Sequence, residues 1–115
     1  MIKREKGEKA SMVWNKKIYM DEKVLKKPIK YRRRIEKGKI LPECFCIALP
    51  ANKSNALDIY SSREFWFKYQ ACAGIEIVGL AADGQGTIKL LEQMVSDIIN
   101  EKGEFNSKTV SEYFS

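Results

Sequence analysis

Apolar positions along the chain fall into two kinds of pattern. Two short runs are apolar almost without a break, residues 43–49 (ECFCIAL) and 75–81 (IEIVGLA). Runs of that length, one between Pro42 and Pro50 and the other between Gly74 and a Gly-rich turn, predict strands covered on both faces. Elsewhere the spacing is helical. Val24, Pro28, Tyr31 and Ile35 recur at +4, +3 and +4, with Leu25 and Ile29 alongside and Asp21 placed to cap. Pro28 removes a backbone donor and disfavours a helical Lys27, so a kink or short turn is expected before a helix from Pro28 to Lys37, stopped by Gly38. Residues 56–69 (ALDIYSSREFWFKY) read as helix, in one piece or two, with Ser61 and Glu64 at capping-box spacing. Thr87 to Glu101 carries Ile88, Leu91, Val95 and Ile98, widened by Leu90, Met94 and Ile99, and Gly103 closes it. In the last segment Asn106 or Ser107 caps a short helix that docks through Phe105, Val110, Tyr113 and Phe114.

A strand, a helical connection and a second strand make a βαβ unit, whose crossover is right-handed and whose strands are parallel. The expected fold class is therefore α/β, a small mostly parallel sheet of two or three strands packed by helices. Two strands alone make a poor sheet. Either residues 12–20 (MVWNKKIYM) add a third, or a second copy of the chain completes the layer as a homodimer. Residues 1–11 read as a mobile basic tail and 12–115 as one domain, with a basic helix at about 21–38 and a βαβα body at about 43–115.

The run LPANKSNALDIYSSREFWF, followed by IEIVGLA, a turn, a helix and a closing EYF, is similar to small uncharacterised cytoplasmic proteins of clostridial and related Firmicute bacteria. The likeness covers roughly residues 20 to 114 and rests on LPxNxxNxLDI and VGLA. It implies a bacterial, intracellular setting and carries no activity and no functional residue.

Charge changes the picture most. Residues 1–42 hold 15 Lys and Arg against 5 Asp and Glu, whereas residues 43–115 hold 6 against 10, so a segment of +10 precedes one of −4. Within the first, KPIKYRRRIEKGK concentrates seven cations. With the apolar stripe of the helix turned inward, Lys23, Lys26, Lys30, Arg33, Arg34 and Lys37 share or flank the opposite side. Three uses of that face stay open: a solvated surface, phosphate contact with nucleic acid through Lys23 to Lys39 with Tyr31 available for stacking, or a site for an acidic protein.

The remaining chemistry is thin. The chain has no histidine, so no Ser or Cys nucleophile can be paired with an imidazole base. Of Cys44, Cys46 and Cys72, the first two sit two apart in a strand and share a face, as small buried hydrophobes do; a zinc site would want four ligands. Gly79 and Gly84 have the GxxxxG spacing of a phosphate loop, but Gln85 and Gly86 stand where it needs Lys and Ser or Thr, and no GxGxxG follows a strand. No cofactor, metal or catalytic residue is assigned. No apolar run approaches the roughly 18 residues that span a bilayer, and the charged N-terminal residues lack a signal-peptide core, so the expected setting is the cytoplasm, with no membrane partner. Three adjacent aromatics, Phe65, Trp66 and Phe67, cannot all share one helix face, which makes them the expected protein interface. The expected function is a small non-enzymatic interaction or regulatory domain, with Lys26, Lys30, Arg33, Arg34 and Lys37 as its anionic-partner surface and nucleic-acid binding as the alternative.

Overall fold

The structure, a computed structural model, describes residues 13–50, 54–65 and 75–115. Its strands are β1 (Val13–Met20), β2 (Phe45–Leu49), β3 (Asp58–Ser61) and β4 (Glu76–Ala81). The helices are α1 (Glu22–Lys26), α2 (Pro28–Glu36), α3, of which residues 62–65 are described, α4 (Gly84–Lys102) and α5 (Ser107–Tyr113). The expected tail at 1–11 lies outside the described residues.

One sheet of order β1–β4–β2–β3 organises the chain. β1 runs parallel to β4, whereas β2 is antiparallel to both β3 and β4. The sheet is thus mixed rather than mostly parallel, and the expected βαβ unit linking β2 to β4 is absent from the described residues. The cause is local. DIYS forms an extended strand opposite β2, with Cys46 facing Tyr60 and Ile47 facing Ile59, where the spacing had suggested helix. Aromatic and β-branched residues beside a ready-made partner strand favour that pairing over helix. Helix begins only at Ser62, behind the expected capping box. There the Ser61 hydroxyl accepts from the Glu64 amide at 3.2 Å, and the Glu64 carboxylate accepts from the Ser61 amide at 2.9 Å.

Both central strands are covered on both faces, which explains their unbroken apolar runs. On one face Val24 and Ile35 of α1 and α2 pack with Cys44, Cys46, Phe65, Ile77 and Leu80. On the other, Leu90, Met94, Ile98, Val110 and Phe114 of α4, α5 and the chain end pack on Ile47, Val78 and Ala81. The molecule is therefore a three-layer α/β/α arrangement. Gly79 is needed for close strand packing, since a Cβ there would stand 3.1 Å from the Ile47 side chain; this gives the first glycine of the GxxxxG spacing a structural role.

The helix boundaries follow the chain's capping chemistry. The Asp21 carboxylate accepts from the Val24 amide at 2.9 Å, Pro28 opens α2, and Gly38 turns the chain with φ 72°. α4 starts earlier than its apolar period suggested, at Gly84, because Asp83 rather than Thr87 supplies the cap; Gly103 ends it with φ 89°. Asn106 and Thr109 cap α5 reciprocally. The core stripe of α4 is Thr87, Leu90, Met94 and Ile98, so its second apolar stripe, with Ile88 and Ile99, stays exposed.

Candidate functional site

Two surfaces bring polar side chains together. The first is a groove of about 410 Å³ along α2, lined by Ile29, Lys30, Arg33, Arg34, Lys37 and Lys39. Three of its five cations come from α2 itself, and a fourth, Lys37, is its C-cap. Pro28 fixes the start of that helix and buried Ile35 fixes its rotation, which turns these residues outward. Lys39 arrives by the closing turn, in which the Lys39 amide donates to the Arg34 carbonyl at 2.9 Å and the Gly38 amide to the Ile35 carbonyl at 3.1 Å. The lining contains no carboxylate, and among the described residues none of the five cations has an ion-pair partner.

The three consecutive arginines do different things. Arg32 lies over the Trp14 ring, 4.7 Å from its centroid, and the Trp14 indole donates to Glu36 at 3.0 Å, so this side of α2 is tied to β1. Arg33 is exposed to solvent in the groove. Arg34 donates to the Pro42 carbonyl and lies 5.8 Å from the centroid of Tyr31. Cations in the last turn of a helix also offset its dipole, which is the purely structural reason for Arg33 and Arg34 to be there.

Four of the five expected cationic residues, Lys30, Arg33, Arg34 and Lys37, thus converge. Lys26 does not line the groove, because the break at Lys27 separates α1 from α2. Lys39 joins instead through a turn geometry that residue spacing does not encode, and Ile29, expected beside the inward apolar stripe, stands exposed on the outward side of α2. Tyr31 is half-buried beneath Arg34 and packs against the core, so it is no free stacking platform. Phe65 is 1% exposed, with its ring 6.4 Å from that of Tyr60, and belongs to the core rather than to an interface. Trp66 and Phe67 lie outside the described residues.

The second surface is a crevice, also about 410 Å³, at the C-terminal ends of β1 and β4. β1 feeds α1 on one face and β4 feeds α4 on the other, the arrangement in which parallel neighbours open a cleft. Asp21, Lys23, Asp83, Gln85 and Lys89 reach it. Both aspartates serve as caps. The second oxygen of Asp21 accepts from the Ala82 amide at 3.0 Å, and Asp83 accepts from the Gly86 amide at 2.8 Å and from the Lys23 ammonium at 2.7 Å. That lysine, followed by the Gly86 amide, holds the Asp83 carboxyl below its usual range, and Asp83 in turn raises Lys23. Neither is poised to exchange a proton near neutrality. Among the described residues no group of three or more Cys, Asp or Glu is placed to hold a metal ion.

Cys44 and Cys46 are buried, unpaired and on one face, and burial pushes both thiols up, Cys46 well above its ordinary value. Such thiols are poor nucleophiles. Cys72 lies outside the described residues. Among the described residues no helix is long and apolar enough to cross a membrane. Comparison of the chain with family models, with curated proteins and with solved structures found no match.

Proposed function

We propose that this protein is a small interaction domain whose working surface is the α2 groove, and that its partner is the phosphate backbone of a nucleic acid. The observation that carries this is the convergence of Lys30, Arg33, Arg34, Lys37 and Lys39 on one groove with no carboxylate in its lining. Cations kept only for solubility are usually interspersed with acids or paired with them. Five on a single face, without an ion-pair partner among the described residues, create a positive potential that draws a polyanion and releases its counterions on contact. Guanidinium groups add bidentate geometry suited to phosphate oxygens. The proposed setting is the cytoplasm, where buried thiols such as Cys44 and Cys46 remain reduced.

The test is binding of labelled oligonucleotides across a salt series, for the wild type and for Lys30→Glu/Arg33→Glu/Lys37→Glu, with folding checked by circular dichroism. Four or five phosphate contacts, according to whether Arg34 meets a base or a phosphate, give a log–log salt slope of about −2.8 to −3.5 on a single strand, or about −3.6 to −4.5 on duplex DNA. The triple variant is expected to lose binding while staying folded. Absence of binding by the folded wild type at low salt, with a poly-glutamate peptide bound instead, would transfer the groove to an acidic protein.

A further inference from the structure

Resting on that function and narrowing it, we infer that the groove takes single-stranded nucleic acid rather than a duplex. The argument comes from what stands at its two margins. At 100° per residue, Ile29 and Arg33 lie along one margin of the α2 surface and Arg34 along the other, with Lys30 and Lys37 between them. Lys39 continues the Arg34 side beyond Gly38.

The middle of the groove is thus purely cationic and suits a backbone. The margins suit bases. Arg34 is not a free cation, because the Pro42 carbonyl and the Tyr31 ring hold its guanidinium in place. A guanidinium plane backed by an aromatic ring is a surface on which an unpaired base stacks. Ile29 is 65% exposed at the opposite margin and offers apolar contact to a second base or a sugar. A duplex stacks its base faces on one another, so neither Arg34 nor Ile29 gains these contacts from it.

Tyr31 has its own role here. It is partly buried against the Val24 and Ile35 cluster and lies behind Arg34, 5.8 Å from the guanidinium carbon, rather than serving as the stacking surface itself. The α2 groove therefore separates two tasks, with lysines and Arg33 on phosphates and the Arg34 plate and Ile29 on bases.

The experiment measures fluorescence anisotropy of a short single strand and of the duplex formed with its complement, at matched salt, against wild type, Arg34→Lys, Ile29→Ser and Lys39→Gln. Arg34→Lys keeps the charge and loses the plane. It is expected to weaken single-strand binding about tenfold with the salt slope unchanged, the size of one lost base stack. Ile29→Ser, at an exposed position away from Pro42, is expected to weaken it as well, and neither is expected to alter the weaker duplex binding. Lys39→Gln should lower the slope by about 0.7. Duplex binding as tight as single-strand binding, or equal losses on both substrates, overturns the single-strand inference and leaves phosphate binding standing. No binding of either oligonucleotide by folded wild type at low salt overturns both.

Discussion

A Cβ added at Gly86 would stand 2.1 Å from Oδ2 of Asp21. The first turn of α4 is thus pressed against the carboxylate that caps α1 and also receives the Ala82 amide. Gly86→Ala should cost about 1–3 kcal/mol although alanine is the better helix former, because either the carboxylate or the helix must move. Gly84 is the control, with nothing within 4 Å of its added Cβ. Gly84→Ala should gain about 0.5 kcal/mol. Urea denaturation of the two variants separates contact from propensity; equal effects would disprove the contact.

The buried Asn15 amide donates to the Phe114 carbonyl at 2.7 Å and to Glu76 at 2.6 Å, while its oxygen accepts from the Lys17 amide at 2.8 Å. Asn15→Ala leaves these partners without it and should cost about 2 kcal/mol. Hydrogen exchange of α5 should accelerate in the variant. An unchanged exchange rate there would show that Asn15 does not hold the chain end.

Tyr19 donates to Asp97 at 2.6 Å and shares a 2.7 Å bond with Tyr113. Burial first, then the bonds to Asp97 and Tyr113, raises its phenol well above the ordinary 10.0. The folded pKa exceeds the unfolded one, so this contribution to stability is complete below the unfolded value and is lost as pH rises through the folded one. Ultraviolet titration should show one phenol fewer ionising before alkaline unfolding than in Tyr19→Phe plus its removed chromophore. Ionisation of every tyrosine in the intact fold would contradict the arrangement.

Asp83 and Lys23 predict a pH signature on the opposite side. The Asp83 carboxyl is held below its ordinary 3.8, so its contribution is present above that value and disappears as pH falls through the lower folded one. Lys23 is raised above 10.5, and its contribution is complete below that value and lost as pH rises through the folded one. The stability difference between wild type and Lys23→Gln should therefore be flat through neutrality and vanish at both extremes. Both groups are exposed, so the difference is small and salt-sensitive.

The break at Lys27 can be read out in binding. Lys26→Gln should leave the oligonucleotide salt slope of wild type unchanged, whereas Lys37→Gln should lower it by about 0.7. Equal slopes for the two variants would mean that the partner reaches beyond α2.

What the sequence disclosed depended on how local the cause was. Asp21, Pro28, Gly38, Gly103 and Asn106 act on their own turns, and each marked its boundary. Val24 and Ile35 sit at one helical face, so the outward side of α2 was legible from spacing alone. Strand pairing is different. Whether DIYS became a helix or a strand depended on β2 lying alongside, nine residues before Asp58 at its nearest end. The antiparallel sense of β2 and β4 likewise has no signal within either run. In α4 both apolar stripes were visible, and only the sheet decided that Leu90 and Met94 face inward while Ile88 does not. Lys39 closed the expected basic stretch but stood outside the five residues named for the surface, because a left-handed glycine, not a helical repeat, returns it to Arg34. Trp14, as a platform for Arg32, lies 18 residues from its partner.

The pairing of β1 with β4, and of Asn15 with the Phe114 carbonyl 99 residues away, sets an order of events during synthesis. A ribosome delivers β1 first, yet its strand partner begins only at Glu76 and the group that satisfies its buried amide comes still later. The nascent chain therefore carries β1 without its strand partner until β4 has been made, and the buried Asn15 amide without its Phe114 carbonyl until α5 has followed.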